Sequence, residues 1–187
     1  MRLTKPRFAP LSDAEMTPEQ DEALKDFRPG PVLNIFRTLV RAPKALTRFN
    51  AWGGYVLSRR NDLSAREREI AILRTGFLCK SGYEWAQHHR IGLGAGLTAD
   101  EIERIKGGAG AGWSPADAAL IRAADELHAD QFITEPTWVE LGRHFSDKQR
   151  MDVVFTCGQY TLVSMMLNTF GVQLDEGQTL DPDLKGF

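Results

Sequence analysis

Cysteine is scarce in this chain of 187 residues, which carries only Cys79 and Cys157. Two cysteines that lie far apart in sequence supply neither a disulfide framework nor the CxxC motif of redox and zinc sites. We therefore expect two buried free thiols.

An excess of one charge and long hydrophobic runs are also absent. The chain has 23 Lys and Arg against 25 Asp and Glu, which are interspersed and give a formal net charge of -2. Such a balance produces no uniform field that would gather nucleic acid or an anionic membrane. No stretch approaches the ~18 uninterrupted apolar residues of a membrane span, and the N-terminal sequence lacks the apolar core of a signal peptide. We expect a cytoplasmic protein that binds neither nucleic acid nor membranes.

Helix-start signals recur along the chain, whereas strand signals are lacking. A Ser or Thr followed three residues later by Glu or Gln forms a capping box, in which the two side chains satisfy backbone donors of the first turn. Apolar residues in the longer segments recur every three or four positions, with no sustained alternation. The capping-box signal occurs at Thr17, Ser64, Ser81, Thr98 and Ser146, and Ser114 followed by Pro115 adds another start.

These signals predict one all-α domain, because 187 residues with 42% hydrophobic content suffice for a single core. The predicted helices span 17–27, 32–40, 43–60, 65–79, 82–95, 99–106, 115–131, 135–144 and 147–170.

The stretch from Glu69 to Gly96 contains a candidate acid/base site. Glu84 and His88 are four residues apart, so they share one face of the predicted helix 82–95. Glu69 lies on the preceding predicted helix and joins them if the two helices pack antiparallel. A histidine stacked over a glutamate is a good candidate for general acid/base catalysis. The sequence therefore predicts a site composed of Glu69, Glu84 and His88.

Both glutamates also have a purely structural interpretation. Glu84 is the fourth residue of the run that starts at Ser81, and it can simply close a capping box. Glu69 follows the charged run 66–68, which is typical of a solvated, salt-bridged helix start. The sequence leaves these alternatives open.

Metal and phosphate sites have no sequence signal. His128 and His144 lie far from His88 and from any spaced pair of carboxylates. The glycine run at 107–112 lacks the preceding strand and the Lys-Ser/Thr of a phosphate loop, which favours a flexible link between helices. We expect no metal and no cofactor.

The pattern resembles the carboxymuconolactone decarboxylase family, which also contains the alkylhydroperoxidase D type proteins. The resemblance is most specific over 64–105, where a Glu on one helix is followed by a helix with a reactive pair and a His, and then by Gly-Leu-Thr-x-x-Glu-Ile at 96–102. It implies a single-domain helical bundle of the alkylhydroperoxidase D-like type over 32–175. The Pro-rich start of the chain predicts an N-terminal arm at 1–31, and the end of the chain predicts a similar tail at 176–187. Since members usually form trimers or hexamers, the resemblance also implies a homotrimer or homohexamer.

The redox branch of this family carries Cys-x-x-Cys-x-x-x-His at the start of the second helix. Counting back from His88 places Ser81 and Glu84 at the two cysteine positions. A serine and a glutamate can neither attack a peroxide nor resolve the product. The chain is therefore similar to the non-redox branch that lacks the CxxC pair, and we expect no thiol peroxidase activity.

The resemblance implies a cofactor-independent lyase or isomerase that acts on a small unsaturated lactone or a related carboxylated carbonyl compound. Such an enzyme would be a 4-carboxymuconolactone decarboxylase-like carboxy-lyase of aromatic compound catabolism. His88 would be the proton donor, Glu84 would polarise it, and Glu69 would be a second proton carrier or an orienting group. The expected substrate-binding residues are Arg74, Tyr83 and Trp85.

Two alternatives remain open at the level of sequence. One is a non-catalytic helical oligomer or small-molecule binding module, in which the polar residues are structural. The other is a hydrolase or hydratase on the same scaffold.

Overall fold

The computed structural model describes residues 1–186, and within this range the protein consists of nine α-helices without a strand. The all-α prediction is confirmed. Three 3₁₀ turns accompany the helices, at Asp13–Glu15, Lys25–Phe27 and Pro182–Leu184. The helices are α1 (Pro18–Ala23), α2 (Asn34–Leu39), α3 (Pro43–Leu57), α4 (Ala65–Leu78), α5 (Gly82–Gly94), α6 (Ala99–Ile105), α7 (Pro115–Asp130), α8 (Glu135–His144) and α9 (Asp147–Phe170).

The predicted helix starts agree with the structure to within two residues, and α5 begins at Gly82 as predicted, but its predicted capping box is absent. Reciprocal capping boxes form at Thr17, Ser64, Thr98 and Ser146. The side chain of Ser81, by contrast, accepts no capping hydrogen bond at the start of α5. Glu84 closes no capping box there, so the capping-box interpretation of Glu84 is wrong.

Helix α4 forms the centre of the fold and packs against α5, α7 and α9. Its residues from 69 to 76 are all buried. A helix buried on every side is normally apolar throughout, because a buried charge without a partner is costly. Yet α4 buries Glu69 and Arg74. Glu69 is therefore not part of a solvated helix start, and both charges need partners inside the protein.

Helix α9 packs one side on the core and leaves an apolar side exposed. Val153, Cys157 and Tyr160 are among its buried residues. The exposed side carries large apolar residues at helical spacing, namely Met151, Val154, Leu162 and Met165. In the described part of the chain, no helix combines the length and apolar character that crossing a bilayer requires.

The N-terminal segment lies against the helical body. Leu11 and Leu24 form a small core with Val40 and Leu46. The carbonyl of Phe170, at the end of α9, accepts hydrogen bonds from backbone N–H groups of residues 7 and 8. The tail returns over the start of α5, where Leu180 lies beside Gly82, and Leu184 is buried in the main core. Phe187, the last residue of the predicted tail, lies outside the described residues.

Candidate active site

His88 lies between two glutamates from two helices. Its Nδ1 atom is 2.7 Å from Oε2 of Glu69 on α4, and its Nε2 atom is 3.0 Å from Oε1 of Glu84 on α5. All three side chains are buried, with exposed fractions of 2% for Glu69, 4% for Glu84 and 6% for His88. The structure thus brings the three predicted residues together, whereas their catalytic roles stay predictions.

The two contacts of His88 differ in kind. The contact with Glu69 is a hydrogen bond. The contact with Glu84 is close, yet Oε1 of Glu84 has no hydrogen-bond partner among the described residues. Glu69 therefore holds the imidazole ring, while Nε2 of His88 and Oε1 of Glu84 both keep hydrogen-bonding capacity for a third group.

A glycine on α4 makes room for Glu84. A Cβ atom placed on Gly76 would lie 3.1 Å from Cγ of Glu84, closer than packed side chains normally approach. Glycine costs roughly 1 kcal/mol relative to alanine in a helix interior. Its presence at position 76 allows α4 and α5 to approach closely enough for Glu84 to reach His88.

Burial and charge set the protonation of the three residues. Burial raises the pKa of Glu84 to about 7, with the neighbouring His88 opposing the shift and the charge of Glu69 adding to it. Burial by itself disfavours the charged form of His88. The charge of Glu84 and the hydrogen bond to Glu69 outweigh this effect, and the pKa of His88 is raised. With a pKa of about 7, Glu84 can accept and return a proton close to neutral pH.

A cavity of about 320 Å³ opens beside His88 and Glu84. Most of its wall is apolar and comes from α2, α3, α5, α9 and the segment before α2. Among the described residues that line it, none is Lys or Arg. The apolar wall includes Phe27, Leu33, Ile35, Phe36, Phe49, Leu57, Ile91 and Val163, and the polar residues are Asn50, Tyr83, Glu84, Gln87, His88, Gln159 and Tyr160.

Tyr160 completes the wall beside His88. Its ring meets the imidazole edge-on, with 4.9 Å between ring centroids and an interplanar angle of 82°. Burial raises the pKa of Tyr160, and the charges of Glu84 and Glu69 raise it further. The phenol therefore stays protonated and is available as a hydrogen-bond donor at the cavity.

Asp175 fixes two further polar side chains of the wall. Its Oδ2 atom accepts hydrogen bonds from the hydroxyl of Tyr83 at 2.5 Å and from Nε2 of Gln87 at 2.6 Å. The backbone N–H of Asn34 donates to Oδ1 of the same carboxylate. Tyr83 lies at the cavity, as expected of a substrate-binding residue, but its hydroxyl is already committed to Asp175.

Arg74 and Trp85 do not line the cavity. Arg74 pairs with Asp125 and donates to the carbonyls of Ile105 and Lys106, which fixes the turn after α6. It follows Glu69 by five residues, a rotation of about 140° around the helix, and so faces away from His88. Trp85 packs in the main core against Phe77. The structure gives neither residue a contact with the cavity, and we leave both out of the proposed site.

Several lining residues were not predicted from the sequence. Gln159 and Tyr160 come from α9, and no local pattern links them to His88 some seventy residues earlier. A weak signal did exist: Gln159 is a polar residue in an apolar run, and the adjacent Gly53 and Gly54 are costly in the middle of a helix. A Cβ atom on Gly53 would meet the Gln159 amide at 3.5 Å, whereas one on Gly54 would project into open space.

The cysteines lie away from this site. Both are free, and Cys157 is buried while Cys79 is only partly buried, so the expectation of two buried thiols holds for Cys157 alone. The Sγ atom of Cys79 is 3.7 Å from Nδ1 of His128, and neither residue lines the cavity. Burial raises the pKa of both thiols, to about 11 for Cys157. Within residues 1–186, no group of three or more His, Cys, Asp or Glu side chains has an arrangement that would hold a metal ion.

The helices adopt the all-helical alkylhydroperoxidase D-like fold. A peroxidase-related protein from Ralstonia eutropha JMP134 with an alkylhydroperoxidase AhpD core superposes with a TM-score of 0.79 at 20% identity, over 91% of this chain and 93% of that one. An uncharacterized peroxidase-related protein from Silicibacter sp. TM1040 superposes with a TM-score of 0.78 at 18% identity, over 93% of this chain and 96% of that one. The debrominase Bmp8 in complex with 2,3,4-tribromopyrrole superposes with a TM-score of 0.75 at 11% identity, over 92% of this chain and 94% of that one. At these identities the likeness shows the fold alone.

A match to a protein family comes from the central part of the chain. Residues 43–126 match the model of the carboxymuconolactone decarboxylase family. The matched segment includes Glu69, Glu84 and His88 but not α9. No curated protein matches the chain in sequence. The family resemblance predicted from the sequence is thus confirmed, and the fold it implied is present.

Proposed function

We propose that the chain is an enzyme that moves protons on a small unsaturated ring compound, as a cofactor-independent lyase or isomerase of the carboxymuconolactone decarboxylase type. The observation that carries the proposal is the position of His88, held by Glu69 on one side and open with Glu84 to an apolar cavity on the other. An unsaturated lactone or related carbonyl compound suits these groups. Loss of a proton or of CO₂ beside its carbonyl leaves an enolate that an acid must protonate.

Glu69 acts through His88 in this proposal. It accepts a hydrogen bond from Nδ1–H of His88, which fixes the ring and leaves Nε2 to face the cavity. Its negative charge stabilises the imidazolium that forms whenever Nε2 holds a proton. Since Glu69 does not line the cavity, we assign it as a positioning residue.

His88 and Glu84 exchange protons with the substrate. In an isomerisation, one of them removes a proton from the carbon beside the carbonyl, and the electron pair moves onto the carbonyl oxygen. The other then returns a proton at a different carbon of the ring. In a decarboxylation, the bond to the carboxylate carbon breaks, CO₂ leaves, and Nε2–H of His88 protonates the carbon that keeps the electron pair. In both cases the hydroxyl of Tyr160 can donate to the enolate oxygen.

A panel of unsaturated lactones with and without a carboxyl group tests this proposal. NMR would follow migration of the ring double bond, and CO₂ release would be measured in parallel. We expect turnover of at least one compound by the wild-type protein and a loss of roughly 10²-fold or more in His88→Ala. Compounds that bind without any turnover would instead favour a non-catalytic binding module.

We also propose that the chain assembles into a homotrimer or homohexamer. The support is the exposed apolar side of α9, where Met151, Leu162 and Met165 are exposed to 53%, 47% and 59%. Adjacent on α3, Trp52 is 42% exposed and packs its ring against Phe155 of α9. Contiguous apolar surface of this kind is typical of an interface with another copy of the chain.

A further inference from the structure

We infer that the compound bound beside His88 is uncharged: an apolar ring system that donates a hydrogen bond through an O–H or N–H group, as an enol or a phenol does, and carries no carboxylate. This inference rests on the proposed function for the roles of His88 and Glu84. It concerns which chemical class binds, and it departs from the carboxylated substrate that the family resemblance implies.

The first support is the absence of a cation at the cavity. No Lys or Arg occurs among the described lining residues. His88 is the one lining side chain there that can be positive, and it already lies within 3.0 Å of carboxylate oxygens of both Glu69 and Glu84. A substrate carboxylate would add a third negative charge to this buried group. Burying a charge without a partner of its own strongly disfavours binding.

The arginines of α4 are committed elsewhere. Arg66 pairs with Glu101 and Asp117, and Arg74 pairs with Asp125. Nη1 of Arg68 donates to the carbonyls of Ser58 and Leu63, while its buried Nε has no hydrogen-bond partner among the described residues. None of the three arginines lines the cavity. An anion could recruit Arg66 or Arg74 only by breaking ion pairs that hold α4 to its neighbours.

The second support is the presence of two acceptors without donors. Oε1 of Glu84 and Oε1 of Gln159 are buried and have no hydrogen-bond partner among the described residues. Both residues are only 4% exposed, and both line the cavity. A buried acceptor without a donor costs roughly 1 to 3 kcal/mol. A ligand that brings an O–H or N–H group into the cavity relieves this cost, whereas a carboxylate brings only more acceptors.

The remaining wall sets the character of the rest of the ligand. Phe27, Phe36 and Phe49 line the cavity together with aliphatic side chains, and Phe27 and Phe36 stack with 4.1 Å between their ring centroids. Flat apolar rings bind favourably against such surfaces. Because an uncharged ligand has no carboxylate to lose, the inference favours isomerisation over decarboxylation among the reactions proposed above.

Three two-ring probes of nearly the same size separate the components of this inference. 2-Naphthol is uncharged and donates a hydrogen bond, 2-methoxynaphthalene is uncharged without a donor, and 2-naphthoate is an anion. Calorimetric titration at pH 8 would give the affinity of each for the full chain. We expect 2-naphthol to bind roughly 10-fold tighter than the methyl ether and at least roughly 10²-fold tighter than the naphthoate.

Two matched variants locate the effect at the cavity. Glu84→Gln removes one negative charge at the site. The affinity for 2-naphthoate should therefore rise roughly 10-fold or more relative to the affinity for 2-naphthol. Glu103→Gln removes the same charge from an exposed side chain on α6, outside the cavity. It should leave the ratio of the 2-naphthoate and 2-naphthol affinities unchanged. Gln159→Leu should weaken the binding of 2-naphthol and leave the binding of the methyl ether unaffected, because only 2-naphthol can donate a hydrogen bond to the amide oxygen of Gln159.

The outcomes separate this inference from the proposed function. Equal affinities for 2-naphthol and its methyl ether, a naphthoate affinity within about threefold of 2-naphthol, or no binding of any probe at millimolar concentration would each overturn the inference. The lactone panel described above measures turnover independently. Tight, selective binding of 2-naphthol with no turnover in that panel would leave the inference standing and count against the proposed function.

Discussion

Oε2 of Glu69 and Nδ1 of His88 are 2.7 Å apart inside the protein, on neighbouring helices and away from solvent. This hydrogen bond decides which nitrogen of His88 faces the cavity. It also places a negative charge behind the imidazole, so that the charged ring is stabilised where burial alone would favour the neutral form.

Replacing Glu69 with Gln should change the titration of His88 without creating a cavity at position 69. Glutamine keeps the size of the side chain but lacks the charge, and it can present either a donor or an acceptor to Nδ1. We expect the pKa of His88 to fall, because the hydrogen bond and charge of Glu69 raise it. NMR titration of the His88 ring protons would measure the shift. An unchanged His88 titration would show that Glu69 does not govern the imidazole.

The folding stability should decrease as the pH rises from about 5 to about 8. The folded-state pKa of Glu84 is raised from 4.5 to about 7, so the folded state holds a proton that the unfolded chain releases at lower pH. The raised pKa of His88 acts in the same direction, since its stabilising contribution is lost as the pH passes through the folded-state value. Thermal melting in this range should show a falling Tm for the wild type.

Glu84→Gln provides the matched comparison for this pH effect. Without a carboxyl group at position 84, the decrease in Tm over the same range should be markedly smaller. A variant whose Tm follows the wild-type curve in parallel would mean that Glu84 has an ordinary pKa in the folded protein.

Peroxide reduction with dithiol donors should be absent. In the register that the family resemblance implies, Ser81 and Glu84 stand at the positions of a reactive cysteine pair. Both existing thiols have raised pKa values. A raised pKa leaves little thiolate, which is the reactive form. A coupled peroxidase assay should give the same background rate for the wild type and Cys79→Ala. Robust turnover that disappears in Cys79→Ala would contradict the assignment.

The native mass should be roughly three or six times the 20.9 kDa of one chain. Light scattering at micromolar protein measures it directly. Met165→Glu would place a charge on the exposed side of α9 and should lower the mass without changing the helical content. A wild-type mass near that of one chain would show that the apolar side of α9 is not an interface between copies.

Local sequence patterns predicted the helices and the core of the site. Capping boxes and helical periodicity gave the nine helices to within a few residues, with 17–27 divided between α1 and a 3₁₀ turn. The four-residue spacing of Glu84 and His88 placed them on one face of α5. Glu69 joins them if two consecutive helices pack together, and such a contact between segments that are close in sequence is easy to predict.

The rest of the cavity could not be predicted in this way, because it depends on contacts between distant segments. Tyr160 meets His88 only through the packing of α9 against α5. The sequence suggested Arg74 as a substrate ligand because of its charge and its place near Glu69. The fold turns it instead to Asp125 on α7, a contact that no local pattern encodes.

The exchange of solvent deuterium into an unsaturated lactone, at the carbon beside the carbonyl, tests proton transfer by His88 and Glu84 most directly. The measurement compares the wild type, Glu84→Gln, His88→Ala and the exposed control Glu103→Gln by mass spectrometry in D₂O. We expect catalysed exchange by the wild type and Glu103→Gln, and a loss of roughly 10²-fold or more in the other two variants with their helical content intact. Equal exchange rates in all four proteins would contradict the proposed role of His88 and Glu84.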